Sequence, residues 1–83
     1  MTTLGDMRPG RAGRVHGFSA DVRPEVGRRL RELGFGRGEV VRCLRAAPLG
    51  GPRVYAVSGC AFALEAELAG QVWVSSVDAH DDG

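Results

Sequence analysis

The sequence predicts a small, mainly β domain with one α-helix, in which five short strands curl into a barrel plugged by that helix. Three observations carry the expectation. Apolar residues alternate with period two in five separate stretches, as half-buried strands require. One stretch alone, from Asp21 to Leu33, repeats its apolar residues at helical spacing. The last four strands follow one another through connections too short for parallel crossovers, so their pairing must be antiparallel. Full or partial closure then removes the exposed edges that invite aggregation in so small a sheet.

The first strand runs from Arg11 to Phe18 after the Pro9–Gly10 turn, with Gly13, Val15 and Gly17 on one side. Glycines at alternate positions weaken a strand but let it bend sharply. In the helix, Val22, Val26, Leu30 and Leu33 form the apolar stripe. Asp21 is placed to cap its start, Pro24 falls in the first turn, and Gly34 supplies the left-handed residue after Leu33. Glu25 stands four residues before Arg29, a favourable surface pairing, whereas Gly27 inside the helix costs up to about 1 kcal/mol against alanine. The second strand spans Glu39 to Ala46, with Val41 and Cys43 facing one way and Val40, Arg42 and Leu44 the other. A Pro-Leu-Gly-Gly-Pro loop ends it. A third strand at 53–58 has Tyr55 and Val57 in phase, Gly59 breaks it, and a fourth at 61–64 has Phe62 and Leu64 in phase. Glu65 to Ala69 makes one helical turn before the last strand at 71–77, which carries Val72, Trp73 and Val74. Residues 1–77 form a single domain, and the acidic Asp-Ala-His-Asp-Asp-Gly at 78–83 is expected to be a disordered, solvated tail.

Length and composition set the functional bounds. Eighty-three residues exclude two cores, a doubly wound nucleotide fold and an α/β barrel. A hydrophobic content of 43% with 25% charged residues excludes an intrinsically disordered chain. Such a domain buries only roughly 60% of its unfolded surface, which leaves little room for an enclosed active site. No Ser–His–Asp set, no paired carboxylates in apolar surroundings and no phosphate-cradling loop with Lys–Ser/Thr is present, so the chain is read as a non-enzyme. No apolar run approaches the ~20 residues that span a bilayer, and the opening lacks a secretory h-region, which points to the cytoplasm and against membrane insertion.

All eleven basic residues are arginine, and lysine, isoleucine and asparagine are missing, a pattern of GC-rich codon supply rather than of phosphate recognition. The net charge of +1 conceals +5 over residues 1–45 and −4 over 46–83. Glu25 and Glu32 interleave the helix arginines and no aromatic–basic alternation occurs, which argues against nucleic acid as a partner. Cys43 and Cys60, sixteen residues apart, make no zinc or disulfide framework and are read as free thiols. Neither they nor His16 and His80 are spaced as a chelate, so no metal site and no cofactor is expected. Cys43 is placed in the core and His16 at the surface or barrel rim.

Two apolar knobs remain. The loop Ala47–Pro52 exposes Leu49 between Pro48 and Gly50–Gly51–Pro52, and the helix end offers Leu33–Gly34–Phe35. Either docks a partner, or both cap the barrel ends.

The stretch RRLRELGFGRGEVVRCLRAAPLGGPRVYAVSGCAFALEAELAGQVWV resembles the FeoA family of bacterial ferrous-iron-transport accessory proteins. It shares a helix ending in L-x-x-L-G, a G-x-x-V strand, an A-P-L-G-x-P loop, then V-x-G, A-L and an apolar last strand. The opening TLGDMRPGRAGRVHGF is similar to that family's leading segment, so the resemblance covers residues 3–75. It implies an SH3-like β-barrel, the fold also found as a C-terminal domain in iron-dependent repressors of the diphtheria-toxin-repressor type. It further implies a cytoplasmic accessory protein that binds the cytoplasmic GTP-binding part of a FeoB-type transporter and modulates it. On that reading Leu33, Gly34, Phe35, Arg45, Pro48, Leu49, Gly50 and Pro52 are the candidate partner-binding residues. The alternative is a stand-alone metalloregulator-type domain that binds a transition metal ion or a DNA-binding partner. Gly51, Arg53, Cys60 and Glu65 depart from the family pattern, and Glu65, where arginine is usual, reverses charge at a candidate contact.

Overall fold

Alternation along the strands sends Val15, Val41, Cys43, Tyr55, Val57, Val72 and Val74 to one face, where all are buried. The structure, a computed structural model, describes residues 2–77, and the expected acidic tail at 78–83, with His80, lies outside the described residues. The strands are β1 (Thr2–Thr3), β2 (Ala12–Phe18), β3 (Val40–Ala46), β4 (Arg53–Val57), β5 (Cys60–Leu64) and β6 (Val72–Ser76). They form one antiparallel sheet in the order β1-β6-β2-β3-β4-β5. Helix α1 (Pro24–Leu33) joins β2 to β3, and the single turn α2 (Ala66–Ala69) joins β5 to β6.

Five strands were expected and six are found. The addition is β1, whose Thr2 and Thr3 lie opposite Val74 and Trp73. Two residues are too few to show a period, and their pairing depends on a local clasp: the Thr3 backbone N–H and hydroxyl donate to Asp6 Oδ2 at 3.0 and 3.2 Å. The ladder ends at β1 and β5 without pairing them, so among the described residues the sheet is not closed into the expected barrel, although the small, mainly β architecture with one main helix is as expected. Its curvature comes from two register shifts, one at Val15/Gly17 against β6 and one at Cys43/Arg45 against β4.

The helix begins later than its apolar stripe suggests. Arg23, not Asp21, is the N-cap, with φ −65° and ψ 146°. Pro24 dictates this, because its ring forces the preceding residue into an extended conformation. Asp21 sits in a turn instead, its N–H donating to the Ser19 hydroxyl at 3.2 Å, and Val22 precedes the helix. Glu25 pairs with Arg23 at 3.9 Å rather than with Arg29, and both groups are so exposed that the pair adds little stability. A Cβ at Gly27 would meet the Phe18 ring at 3.4 Å, an ordinary van der Waals contact, and the Arg31 guanidinium lies over that ring at 5.9 Å.

The helix ends in a Schellman motif. Gly34 adopts φ 115°, its N–H donates to the Arg31 carbonyl at 3.1 Å, and the Phe35 N–H donates to Leu30 at 2.9 Å. This geometry turns Phe35 back into the core, edge-on to Tyr55 at 6.4 Å and tilted against Phe62 at 6.1 Å. The β4–β5 hairpin closes through Ser58 and Gly59, both at positive φ (54° and 80°), as a two-residue type I′ turn requires. Among the described residues, no helix is long and apolar enough to cross a membrane.

Candidate docking surface

The candidate partner-binding residues separate into two environments. At the helix end, Leu33 and Gly34 are half-buried and Phe35 is wholly buried, so that group belongs to the core and its boundary. At the β3–β4 hairpin, Arg45, Pro48, Leu49, Gly50 and Pro52 are all exposed.

The hairpin tip is a built turn. The Ala47 N–H donates to the Pro52 carbonyl at 3.0 Å and the Gly51 N–H to Pro48 at 3.2 Å. Between these bonds Leu49 and Gly50 take positive φ of 59° and 78°. Glycine accepts that conformation freely, but a left-handed leucine costs about 1–2 kcal/mol. Leu49 also buries nothing, with a relative exposure of 103%. Folding therefore gains nothing from the leucine side chain.

Behind the sheet lies a polar network for which the sequence offered only an indirect signal. The Arg53 guanidinium turns inward. Its Nε donates to the Tyr55 hydroxyl at 2.8 Å, and one Nη donates to the Met7 carbonyl and to Cys43 Sγ. The Tyr55 hydroxyl donates in turn to the Leu4 carbonyl at 2.8 Å. Arg53 and Tyr55 thus tie the N-terminal segment, whose Leu4 and Met7 are buried, onto the middle of the sheet.

This network makes a pH prediction. Burial pushes the Tyr55 hydroxyl above the ordinary tyrosine value, and the Arg53 hydrogen bond only partly offsets the rise. The unfolded chain ionises its tyrosine near pH ~10 while the folded chain still holds the proton. The stabilisation is therefore complete below that pH and is lost as pH rises through the folded value. Denaturant midpoints should fall from about pH 10 upward. Phenolate absorbance, which reports one residue because the chain has a single tyrosine, should lag behind that of the unfolded protein. Tyr55→Phe should flatten this slope and cost about 1–2 kcal/mol at neutral pH.

Cys43 is buried and Cys60 exposed, both as free thiols. His16 is exposed. Among the described residues, no group of three or more His, Cys, Asp or Glu side chains is arranged to hold a metal ion.

A curled antiparallel sheet with one plugging helix and an exposed hairpin closed by hydrogen bonds defines a small domain of the SH3-like class. The FeoA domain model matches residues 2–76, and the chain belongs to the FeoA family, which is linked to ferrous iron transport. The FeoA protein of Chlorobium tepidum is 29% identical with a TM-score of 0.83, over 92% of this chain and 70% of that one. Stenotrophomonas maltophilia FeoA, a procaryotic SH3 domain protein solved with zinc, is 32% identical with a TM-score of 0.78, over 90% and 91%. A manganese-dependent transcriptional repressor is 25% identical with a TM-score of 0.79, but the match covers 92% of this chain and only 41% of the repressor. No curated protein matches the chain.

Proposed function

We propose that this chain is a small cytoplasmic accessory protein of ferrous iron transport that binds the cytoplasmic part of a FeoB-type transporter and modulates it without turning over substrate. Membership of the FeoA family supports the transport context. The observation that carries docking is Leu49, fully exposed and held at positive φ by a turn closed with two hydrogen bonds. A fixed apolar tip loses little entropy on binding, which makes it an efficient anchor. Arg45, Pro48, Gly50 and Pro52 surround it as the rim.

Retention of the chain on the transporter's immobilised soluble domain tests this reading. The wild type should be retained at low salt, and Leu49→Asp should lower retention at least about tenfold while leaving stability within about 0.5 kcal/mol, as for other exposed sites. Leu49→Gly keeps the turn and removes the side chain, so it should lose binding equally. Failure of the wild type to bind overturns the proposal.

Similarity to the manganese-dependent repressor favours a second reading, a metalloregulator-type domain that binds a transition metal ion or a DNA-binding partner. Anaerobic calorimetric titration with manganous or ferrous ion decides it: binding tighter than ~10 μM, about −7 kcal/mol, would support it over the adaptor.

A further inference from the structure

The strands β2 to β6 contain no aspartate and no glutamate. Their outward residues on β2 and β3 are Arg14 and His16 on one strand and Val40, Arg42 and Leu44 on the other, all exposed. Cross-strand register places Arg14 opposite Val40, and Val40, Arg42 and Leu44 alternate along β3, so basic and apolar side chains interleave on one surface. Val40, at the start of β3, and Leu44, at its register shift against β4, are each 42% exposed.

The guanidiniums on this surface are anchored, and among the described residues none is anchored by a carboxylate. Arg14 donates to the Gly38 carbonyl at 2.8 Å, Arg42 to Gly10 at 2.6 Å, and Arg37, at the entry to β3, to His16 at 3.1 Å. Each bond uses one of the five N–H donors of an arginine and restrains the side chain while the rest of the fork stays available. Among the described residues the ion pair found joins Arg23 to Glu25, on a different element. Positioned cations without counter-charges lose less side-chain entropy when an anion arrives than free ones do.

We propose that the outer surface of β2 and β3 is a docking site for an acidic polypeptide segment of a partner, one in which carboxylates alternate with apolar side chains. Charge complementarity selects carboxylates, which the arginine fork binds through paired N–H donors. Val40 and Leu44 select a peptide over a nucleic acid, because a phosphate backbone leaves both uncovered. They also lie flush among arginines instead of projecting from a loop, so a lipid bilayer reaches them only by burying the charges as well. The site is separate from the hairpin tip and does not rest on the transporter reading.

Fluorescence anisotropy with a labelled peptide of alternating glutamate and leucine tests the proposal on the full chain. Binding should appear at low salt, weaken as salt rises, and fail for the same peptide with glutamine in place of glutamate. Arg14→Gln with Arg42→Gln should weaken it at least about tenfold, each single change should act in the same direction, and Val40→Ser with Leu44→Ser should also weaken it. Arg28→Gln with Arg29→Gln, on the helix, should leave it unchanged. Absence of binding, equal affinity for the glutamine peptide, or equal loss in the helix variant overturns the proposal. Tighter binding to phosphatidylserine vesicles or to single-stranded DNA, abolished by the same β2–β3 changes, overturns it in favour of that ligand.

Discussion

Phe35→Ala is expected to cost about 3–5 kcal/mol, comparable with the entire stability of a domain this small, so the variant should be largely unfolded at room temperature. The ring is wholly buried and touches two other aromatic side chains, one edge-on and one tilted. Its removal takes both ring contacts and leaves a void next to Tyr55, the residue that holds the N-terminal segment through Leu4. Thermal or denaturant unfolding measures the loss directly. Phe35→Leu, which fills most of the space, should retain a cooperative transition at a reduced midpoint. Because the side chain never reaches the surface, any loss of partner binding in Phe35→Ala should scale with its unfolded fraction. Binding lost by a fully folded Phe35→Leu would contradict that assignment.

Phe35 also shows where reading from the sequence stops. Its position after Gly34 suggests an apolar knob at the helix end, and the local pattern is correct up to the glycine. The direction of the next residue depends on the Schellman hydrogen bonds to Arg31 and Leu30, which turn the chain back on the helix it has just left. An apolar residue directly after such a glycine is the signal that could have assigned it to the core. The strands were legible because one side of the sheet is wet: Val41 and Cys43 are fully buried while Arg42 between them and Val40 and Leu44 on either side are exposed, and period two separates them. Asp21 misled because two turns compete for the same stretch, and the constraint imposed by Pro24 outweighs a capping carboxylate. Arg53 was the least legible, since a charged residue in a strand reads as surface until the carbonyls of Met7 and the hydroxyl of Tyr55 are brought to it by contacts across the chain. The hairpin tip, by contrast, was visible in the sequence because Pro-Leu-Gly-Gly-Pro fixes its own geometry locally.

Gly34→Ala should be the other severe substitution, at about 2–4 kcal/mol, for two reasons that a double variant can separate. The backbone term comes from φ 115°, which an L side chain rarely adopts, and no neighbouring change relieves it. The steric term comes from the β4–β5 turn: a Cβ at Gly34 would stand 2.7 Å from Ser58 Oγ and 3.2 Å from Ser58 Cβ. Ser58 is itself held at φ 54° in the type I′ turn, so its backbone cannot withdraw without opening the hairpin. Ser58→Gly alone should be nearly neutral, because glycine suits that position. Combined with Gly34→Ala it should restore about 1 kcal/mol, a coupling within the range found for residues in contact. For a domain of this length each kcal/mol moves Tm by roughly 4–8 °C, so melting curves resolve the two contributions. Strict additivity of the two changes would show that the helix end and the hairpin are not in contact. Recovery of the whole loss would show that the left-handed backbone at residue 34 carries no cost of its own.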